Sequence, residues 1–442
     1  MNLVSKYFMK SSSKKHTYFM IGSIVAAFAF SWMAPEMAKH TKVGGEIFLR
    51  CLMMVVVPLV MTSVMSGILG LGDVRKLGKP GGAAVLFYVT TTVLAVLTGV
   101  LMFNLIQPGQ GVIADLGALD HGSHAEQMAV VEETSQQKKG MADIFENLLL
   151  MLFTKNLLQS MVEIELLPLI IFSIIFAGML TTLGKRIKVV SDLVLASNDA
   201  LLNFVMLLMK FAPLGIFCLV ASNFGEAFAE GTFVSTIKNL ASYMIVVLGG
   251  LFFHFGVTLP LFLWFKTRRN PYRFMAHMSD ALLTAFSTAS SSATLPVTME
   301  CAEKKARISR KSIDFVLPLG ATINMDGTAI MQGVATIFIA QFYGIDLGLT
   351  ALLTVVLTAT LASIGTAAVP GVGLITLTLV LDQVGLPVEG IALIIGVDRL
   401  LDMLRTAVNV TGDATVATIV ASSEDQLDRE VFNTPEQQSA VA

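Results

Sequence analysis

The sequence predicts an all-α polytopic membrane protein: eight transmembrane helices and two re-entrant helical hairpins, laid out as inverted repeats. Three observations carry this expectation. Of the 442 residues, 54% are hydrophobic and only 14% charged, against about 25% charged in a soluble domain. The mean hydropathy is +0.73. Lysine and arginine gather in clusters between long apolar segments, and two of those segments break in the middle at small polar residues, glycine and proline.

The basic clusters set the order of elements. They are Lys6, Lys10, Lys14 and Lys15; Arg75, Lys76 and Lys79; Lys185, Arg186 and Lys188; Lys266, Arg268, Arg269 and Arg273; and Lys304, Lys305, Arg307, Arg310 and Lys311. The positive-inside rule puts all of them on the cytoplasmic face. Paired apolar segments at about 18–36 and 44–72, 81–106 and 142–183, and 190–224 and 232–265 join the first four clusters by round trips. The longest outer loop, about 107–140, is acidic. The basic start leads into an apolar run long enough to stay as a helix, so no cleavable signal is expected. Both termini are then cytoplasmic.

Between Arg273 and Lys304 lies one segment, and a single crossing would throw the most basic loop outside. It also breaks at "STASSSATLP". Both facts agree on a hairpin that dips in and returns, since irregular backbone at depth survives only where it is buried in protein or lines an aqueous site. The design recurs after a spanning helix at about 312–341: "LASIGTAAVPGVGLITL" interrupts the next apolar stretch, and a final helix follows at about 388–422. The two helices share a local pattern, "NMDGT" at 324–328 and "NVTGD" at 409–413. Inverted repeats with interrupted helices at matching positions point to a transport site near the bilayer midplane.

The chemistry concentrates in "DRLLDMLRTAVNVTGDA", residues 398 to 414. Each ionisable group at the bilayer centre costs roughly 2.5–3.5 kcal/mol or more, so five of them demand a use. At 100° per residue, Asp402, Arg405, Thr406, Asn409 and Asp413 share about 100° of helix arc. Leu400, Leu404, Ala407 and Val408 take the other side. Asp326, Asp402 and Asp413 against Arg405 leave about −2 in a desolvated site, which needs counter-charge. Small hard cations on carboxylate, carbonyl and hydroxyl oxygens would supply it. Arg405 offers a planar fork for a carboxylate, and Asp402 one turn away suits an ammonium. A zwitterion with an extra carboxylate fits both, and its net −1 raises the deficit to about −3. Substrate and cations should therefore bind together.

Other readings are weaker. An ion-pair network that merely holds a bundle would not need the added Thr and Asn oxygens. "SSSAT" lacks the elbow of a serine hydrolase, and Val-Thr-Gly-Asp is not the Gly-x-Gly-Asp of an intramembrane aspartyl protease. Paired charges favour occlusion over an anion channel. His254 reads as a packed or lumen-facing histidine rather than a proton relay. The sequon at 409–411 is inert at membrane depth. Cys51, Cys218 and Cys301 have neither disulfide nor metal spacing. A net charge of −2 offers nothing to nucleic acid.

"SSSATLPVTM", "LPLGATINMDGTAI", "LASIGTAAVPGVG" and "DRLLDMLRTAVNVTGDA", with "FYVTTTVLAV" in the third helix, resemble the glutamate/aspartate transporters, the dicarboxylate/amino acid:cation symporter family, over about residues 15 to 422. The resemblance implies a sodium-coupled importer in the inner or plasma membrane, not an enzyme, with no organic cofactor. It implies a homotrimer in which a scaffold (1–78 and 141–228) supports an elevator-like transport domain (79–140 and 229–424, with hairpins at about 274–303 and 349–385), followed by a cytoplasmic tail, 425–442. For substrate it implies Arg405 and Thr328 on the side-chain carboxylate, Asp402 on the amine, and Asn409, Thr406 and backbone near Ser291, Val369 and Gly373 on the rest. For sodium it implies three sets. The first is Gly320, Asn324, Asn409 and Asp413; the second, backbone at Thr322, Ser363, Ile364 and Thr366; the third, Tyr88, Thr91, Thr92, Asn324 and Asp326. Three monovalent cations match the charge deficit. A proton-coupled glutamate carrier or a C4-dicarboxylate carrier is the alternative.

The chain also departs from the family pattern. An arginine found in relatives beside the site is absent at both of its usual places, here Ala289 and Met403. Ala368 stands where glycine is common. The glutamate of proton-carrying relatives is Gln332, which cannot titrate, so the sequence predicts no obligatory proton or potassium coupling.

Overall fold

The computed structural model describes residues 19, 22–70, 78–106, 146, 150, 152–163, 166–183, 188–364, 366 and 368–423. The first basic cluster, Arg75, Lys76, Lys185 and Arg186, the acidic loop 107–140 and the tail 425–442 lie outside them. Among the described residues all regular structure is helical.

The chain begins with α1 (Gly22–Met33), α2 (Pro35–Lys39), α3 (Lys42–Met53), α4 (Val56–Gly70) and α5 (Gly78–Ile106). The expected single segment at 44–72 is thus broken at Met54 and Val55. Pro58 explains this: it has no N–H to offer the Met54 carbonyl, so the helix restarts. The expected 142–183 segment is also divided, into α6 (Leu157–Val162) and α7 (Leu166–Thr182). Asn156 starts α6 by accepting from the Leu158 and Gln159 N–H groups at 3.1 and 3.3 Å. The long α8 (Lys188–Ala229) packs along α2, α3 and α4, and α4 packs on α7.

α5 inverts the pattern of a soluble helix. Leu86, Leu97, Leu101 and Leu105 are exposed, whereas Thr91, Thr92, Ala95 and Val96 are buried. Small and hydroxyl-bearing residues inside with leucines outside is the arrangement that lipid favours. Four described stretches, Pro35–Leu69, Gly81–Ile106, Lys188–Ala229 and Phe233–Thr267, are long and apolar enough to cross a bilayer.

α9 (Phe233–Phe253) runs through a π turn, His254–Thr258, into α10 (Leu259–Thr267). Pro260 is the cause: without its N–H the Gly256 carbonyl loses an i−4 donor, and the backbone widens. The Tyr272 hydroxyl donates to that carbonyl at 3.0 Å.

Next come α11 (Pro271–His277), α12 (Ser279–Thr288) and α13 (Ser291–Glu300). α12 and α13 form a helix–turn–helix turned at Ala289, which adopts left-handed backbone (φ 50°, ψ 38°). α14 (Arg310–Ile323) and α15 (Asp326–Phe342) are the two halves of the expected 312–341 helix, parted by extended backbone at Asn324 (φ −101°, ψ 91°). α16 (Leu349–Ile364) and α17 (Val372–Gln383) form a second helical hairpin, whose tip turns at Gly371 with φ 80°. α18 (Ile391–Ser423) closes the chain and contacts α5, α12, α14, α15 and α17. The site lies where these helices converge on α18.

Candidate substrate and cation site

Among the described residues, Arg405 is the largest fully buried side chain. Its Nη2 lies 2.9 Å from Asp398 Oδ1 and 3.0 Å from Asp402 Oδ1. Nε and Nη1 have no hydrogen-bond partner among the described residues. Buried donors left unsatisfied are costly, so these open N–H groups suit a ligand carboxylate. Gly373 faces them: a Cβ there would stand 3.2 Å from Nη1 and 3.3 Å from the Thr328 methyl. Thr328, Gly373 and Arg405 therefore converge.

Asp402 Oδ2 accepts from the Gly371 N–H at 3.1 Å and lies 3.8 Å from Arg399 Nη1. The second hairpin tip thus rests on the carboxylate assigned to the amine. Thr406 is buried, with its hydroxyl donating to the Asp402 carbonyl at 2.8 Å. Asn409 Oδ1 accepts from Gly327 N–H at 2.7 Å, satisfying one of the open N–H groups that begin α15. The two hairpin tips, which carry Ser291 and Val369, meet at their neighbours: Ser290 Oγ donates to the Ala368 carbonyl at 2.7 Å. The same Oγ caps α13 by accepting from Ala293 N–H at 3.2 Å.

The cation residues gather below this point. Thr91 Oγ1 donates to Asn324 Oδ1 at 3.1 Å, and Thr92 Oγ1 donates to Asp326 Oδ1 at 2.9 Å. Tyr88 is buried with them, its hydroxyl donating to the Val316 carbonyl at 2.8 Å. Asn324 Nδ2 donates to Asp413 Oδ1 at 3.0 Å, and Asn324 N–H to the Gly320 carbonyl at 2.8 Å. Gly320 must be glycine, since a Cβ would come within 2.5 Å of the Tyr88 hydroxyl and 2.7 Å of Asp413 Oδ1. The first and third expected sets therefore form one continuous cluster. The second is not joined in the same way. α14 and α16 touch, but no hydrogen bond among the described residues links Thr322 to Ser363, Ile364 or Thr366. The Ser363 carbonyl accepts instead from Thr366 N–H at 3.2 Å.

One carboxylate in each of these two sets, Asp413 and Asp326, with neutral hydroxyl, amide and carbonyl oxygens, is the ligand chemistry of hard cations of low charge. Two charged residues in the site were outside the sequence-based charge count: Asp398 and Arg399, both buried. Asp398 lies four residues before Asp402, hence on the same helix face, so the signal was present. Their charges cancel, and the deficit stays at −2. His254 is packed, as expected, but its partner is unexpected: Nε2 lies 3.3 Å from Asp326 Oδ2. Gln332, buried in α15, donates to Thr376 Oγ1 at 2.7 Å.

Interrupted helices around a buried cluster of charges and oxygen ligands define a cation-coupled secondary transporter rather than an enzyme. A family model for the sodium:dicarboxylate symporter family matches residues 17–423. An excitatory amino acid transporter of Caenorhabditis elegans is 39% identical over 417 residues, covering 88% of this chain and 82% of its own. Another from Onchocerca volvulus is 38% identical, covering 88% and 84%. Excitatory amino acid transporter 3 of Oryctolagus cuniculus is 37% identical, covering 84% and 76%. The chain belongs to the sodium:dicarboxylate symporter family.

Proposed function

We propose that the protein imports acidic amino acids, aspartate, glutamate or both, by sodium symport across an inner or plasma membrane. The observation that carries the substrate class is Arg405: it is buried, one nitrogen is paired with Asp398 and Asp402, and the N–H groups of the other two remain for a carboxylate. Asp402 beside it takes the ammonium once the Gly371 N–H gives way. A C4-dicarboxylate has no ammonium for Asp402, so it should compete poorly. Asp326 and Asp413, with Tyr88, Thr91, Thr92, Gly320, Asn324 and Asn409, hold sodium. Thr322, Ser363, Ile364 and Thr366 supply backbone oxygens to a further sodium when the second hairpin shifts.

The chain crosses the bilayer eight times with both termini cytoplasmic, and the two hairpins are re-entrant. Residues 1–78 and 141–228 form a static, trimer-forming scaffold, and 79–140 with 229–424 the part that moves as an elevator. The packing of α8 on α2, α3 and α4, and of α5, α14 and α15 with α18, supports this division. The test is uptake of radiolabelled aspartate into liposomes with and without an inward sodium gradient. Concentrative uptake should need sodium and be competed by glutamate, not succinate. Uptake indifferent to sodium, or succinate competing as well as glutamate, would refute the reading.

A further inference from the structure

We propose that His254 is a positioning residue of the sodium site: its Nε2–H holds one oxygen of Asp326, so that the carboxylate meets the cation through the other. The inference rests on the reading above, in which Asp326 is a sodium ligand.

The geometry is specific. His254 and Asp326 are both fully buried, with Nε2 3.3 Å from Oδ2. A carboxylate can only accept, so the hydrogen of a neutral imidazole lies on Nε2. Nδ1 has no hydrogen-bond partner among the described residues. The opposite oxygen, Oδ1, accepts from Thr92 Oγ1 at 2.9 Å. Oδ2 is engaged by the imidazole, and α18 passes close to it at Gly412, where a Cβ would stand 2.7 Å away. The two carboxylate oxygens thus have different partners, His254 on one and Thr92 on the other.

The backbone explains how a histidine reaches this point. His254 opens the π turn caused by Pro260, and that turn touches both α5 and α18. Single π turns inside helices are frequent at functional positions because the extra residue re-aims the side chains that follow. Partners that orient a metal ligand govern affinity without touching the ion, typically by 10–100-fold.

The experiment is radiolabelled sodium binding to the purified full-length protein without amino acid, followed by aspartate binding at rising sodium. His254→Ala should raise the half-saturating sodium concentration roughly tenfold or more. His254→Gln, which can still present an N–H, should recover most of the loss. Aspartate affinity in His254→Ala should return to the parent value once sodium saturates, because Arg405 and Asp402 are untouched. Parent-like sodium affinity in His254→Ala overturns the proposal, as does a loss of aspartate binding that no sodium concentration restores. Should the alanine variant not fold, His254→Phe against His254→Gln decides: tighter sodium binding by glutamine supports the role, and equal binding overturns it. Asp326→Asn separates the two claims. If it leaves sodium binding unchanged, the cation assignment itself fails; if it weakens binding while His254→Ala does not, only the histidine's role fails.

Discussion

The hydroxyl of Ser290 donates to the carbonyl of Ala368 across 2.7 Å, joining hairpin tips 78 residues apart in the chain. The bond joins the second hairpin to the first, next to the Gly371 contact with Asp402. Its removal in Ser290→Ala should cost about 1 kcal/mol, or about fivefold. The lost α13 cap weighs equally on open and closed forms, so it cancels. Aspartate should therefore dissociate about fivefold faster, with unchanged sodium dependence, in a stopped-flow or filter-binding assay. An unchanged off-rate would show that the tips do not gate release.

With Arg405 holding the substrate's second carboxylate, as proposed, its replacement should change which substrates are taken. Arg405→Cys removes the fork and leaves Asp398 and Asp402 without their shared cation. Breaking a buried pair on one side costs about 3–5 kcal/mol, a loss of hundreds- to thousands-fold. Uptake of aspartate and glutamate should vanish, and serine or alanine should become substrates. Competition assays with neutral amino acids check this, and aspartate uptake at wild-type affinity would sink the assignment. Asp402→Asn should weaken every amino acid substrate by about 2–5 kcal/mol, since the ammonium loses its charged partner.

Asp398 pairs with Arg405, and among the described residues no hydrogen bond or ion pair joins it to the cation residues. Asp398→Asn should therefore lower aspartate affinity while sodium binding alone stays at the parent value. Measuring both in one preparation distinguishes this from general damage, which would move the two together.

Asp326→Ala and Asp413→Ala should weaken aspartate binding through sodium. Coupling between sites is reciprocal, so higher sodium should restore part of the loss. The readout is aspartate affinity across a sodium series. A variant whose affinity responded to sodium as the parent does would count against the ligand role.

Gln332 spends its amide N–H on Thr376, whose hydroxyl meets that of Thr366 at 3.0 Å. An amide there ties α15 to the second hairpin without a titrating proton. Uptake at a fixed sodium gradient should neither require internal potassium nor be driven by a pH step. Replacing internal potassium with choline, then imposing the pH step, tests each in turn.

The parts of this site that were legible in the sequence are the parts that lipid penalises. Arg405, Asp402, Asp413 and Asp326 stand out in apolar helices, and "NMDGT" and "STASSSATLP" mark where helical backbone gives way. Asp398 was equally visible on the Asp402 face, but a charge count hides a residue whose neighbour Arg399 cancels it. His254 meets Asp326 over 72 residues of chain, a pairing that no periodicity encodes. The carbonyl that Ala368 offers to Ser290 belongs to the backbone and carries no letter of its own. The breaks in the 44–72 and 142–183 segments were missed because a hydropathy window averages over Pro58 and Asn156.

Gly327 sits against the backbone of Arg405 so closely that a Cβ would stand 2.5 Å from its carbonyl oxygen and 2.8 Å from its Cα. Two helix backbones in such contact cannot slide past each other by small steps, because interlocked interiors resist continuous deformation. The fork proposed to grip the cargo and the oxygens proposed to grip the ions are thereby parts of one rigid block. Slippage, in which ions cross while cargo stays behind, would require that block to come apart within itself. Widening the seam with Gly327→Ala should raise sodium flux per aspartate carried, a change in gear ratio rather than in grip.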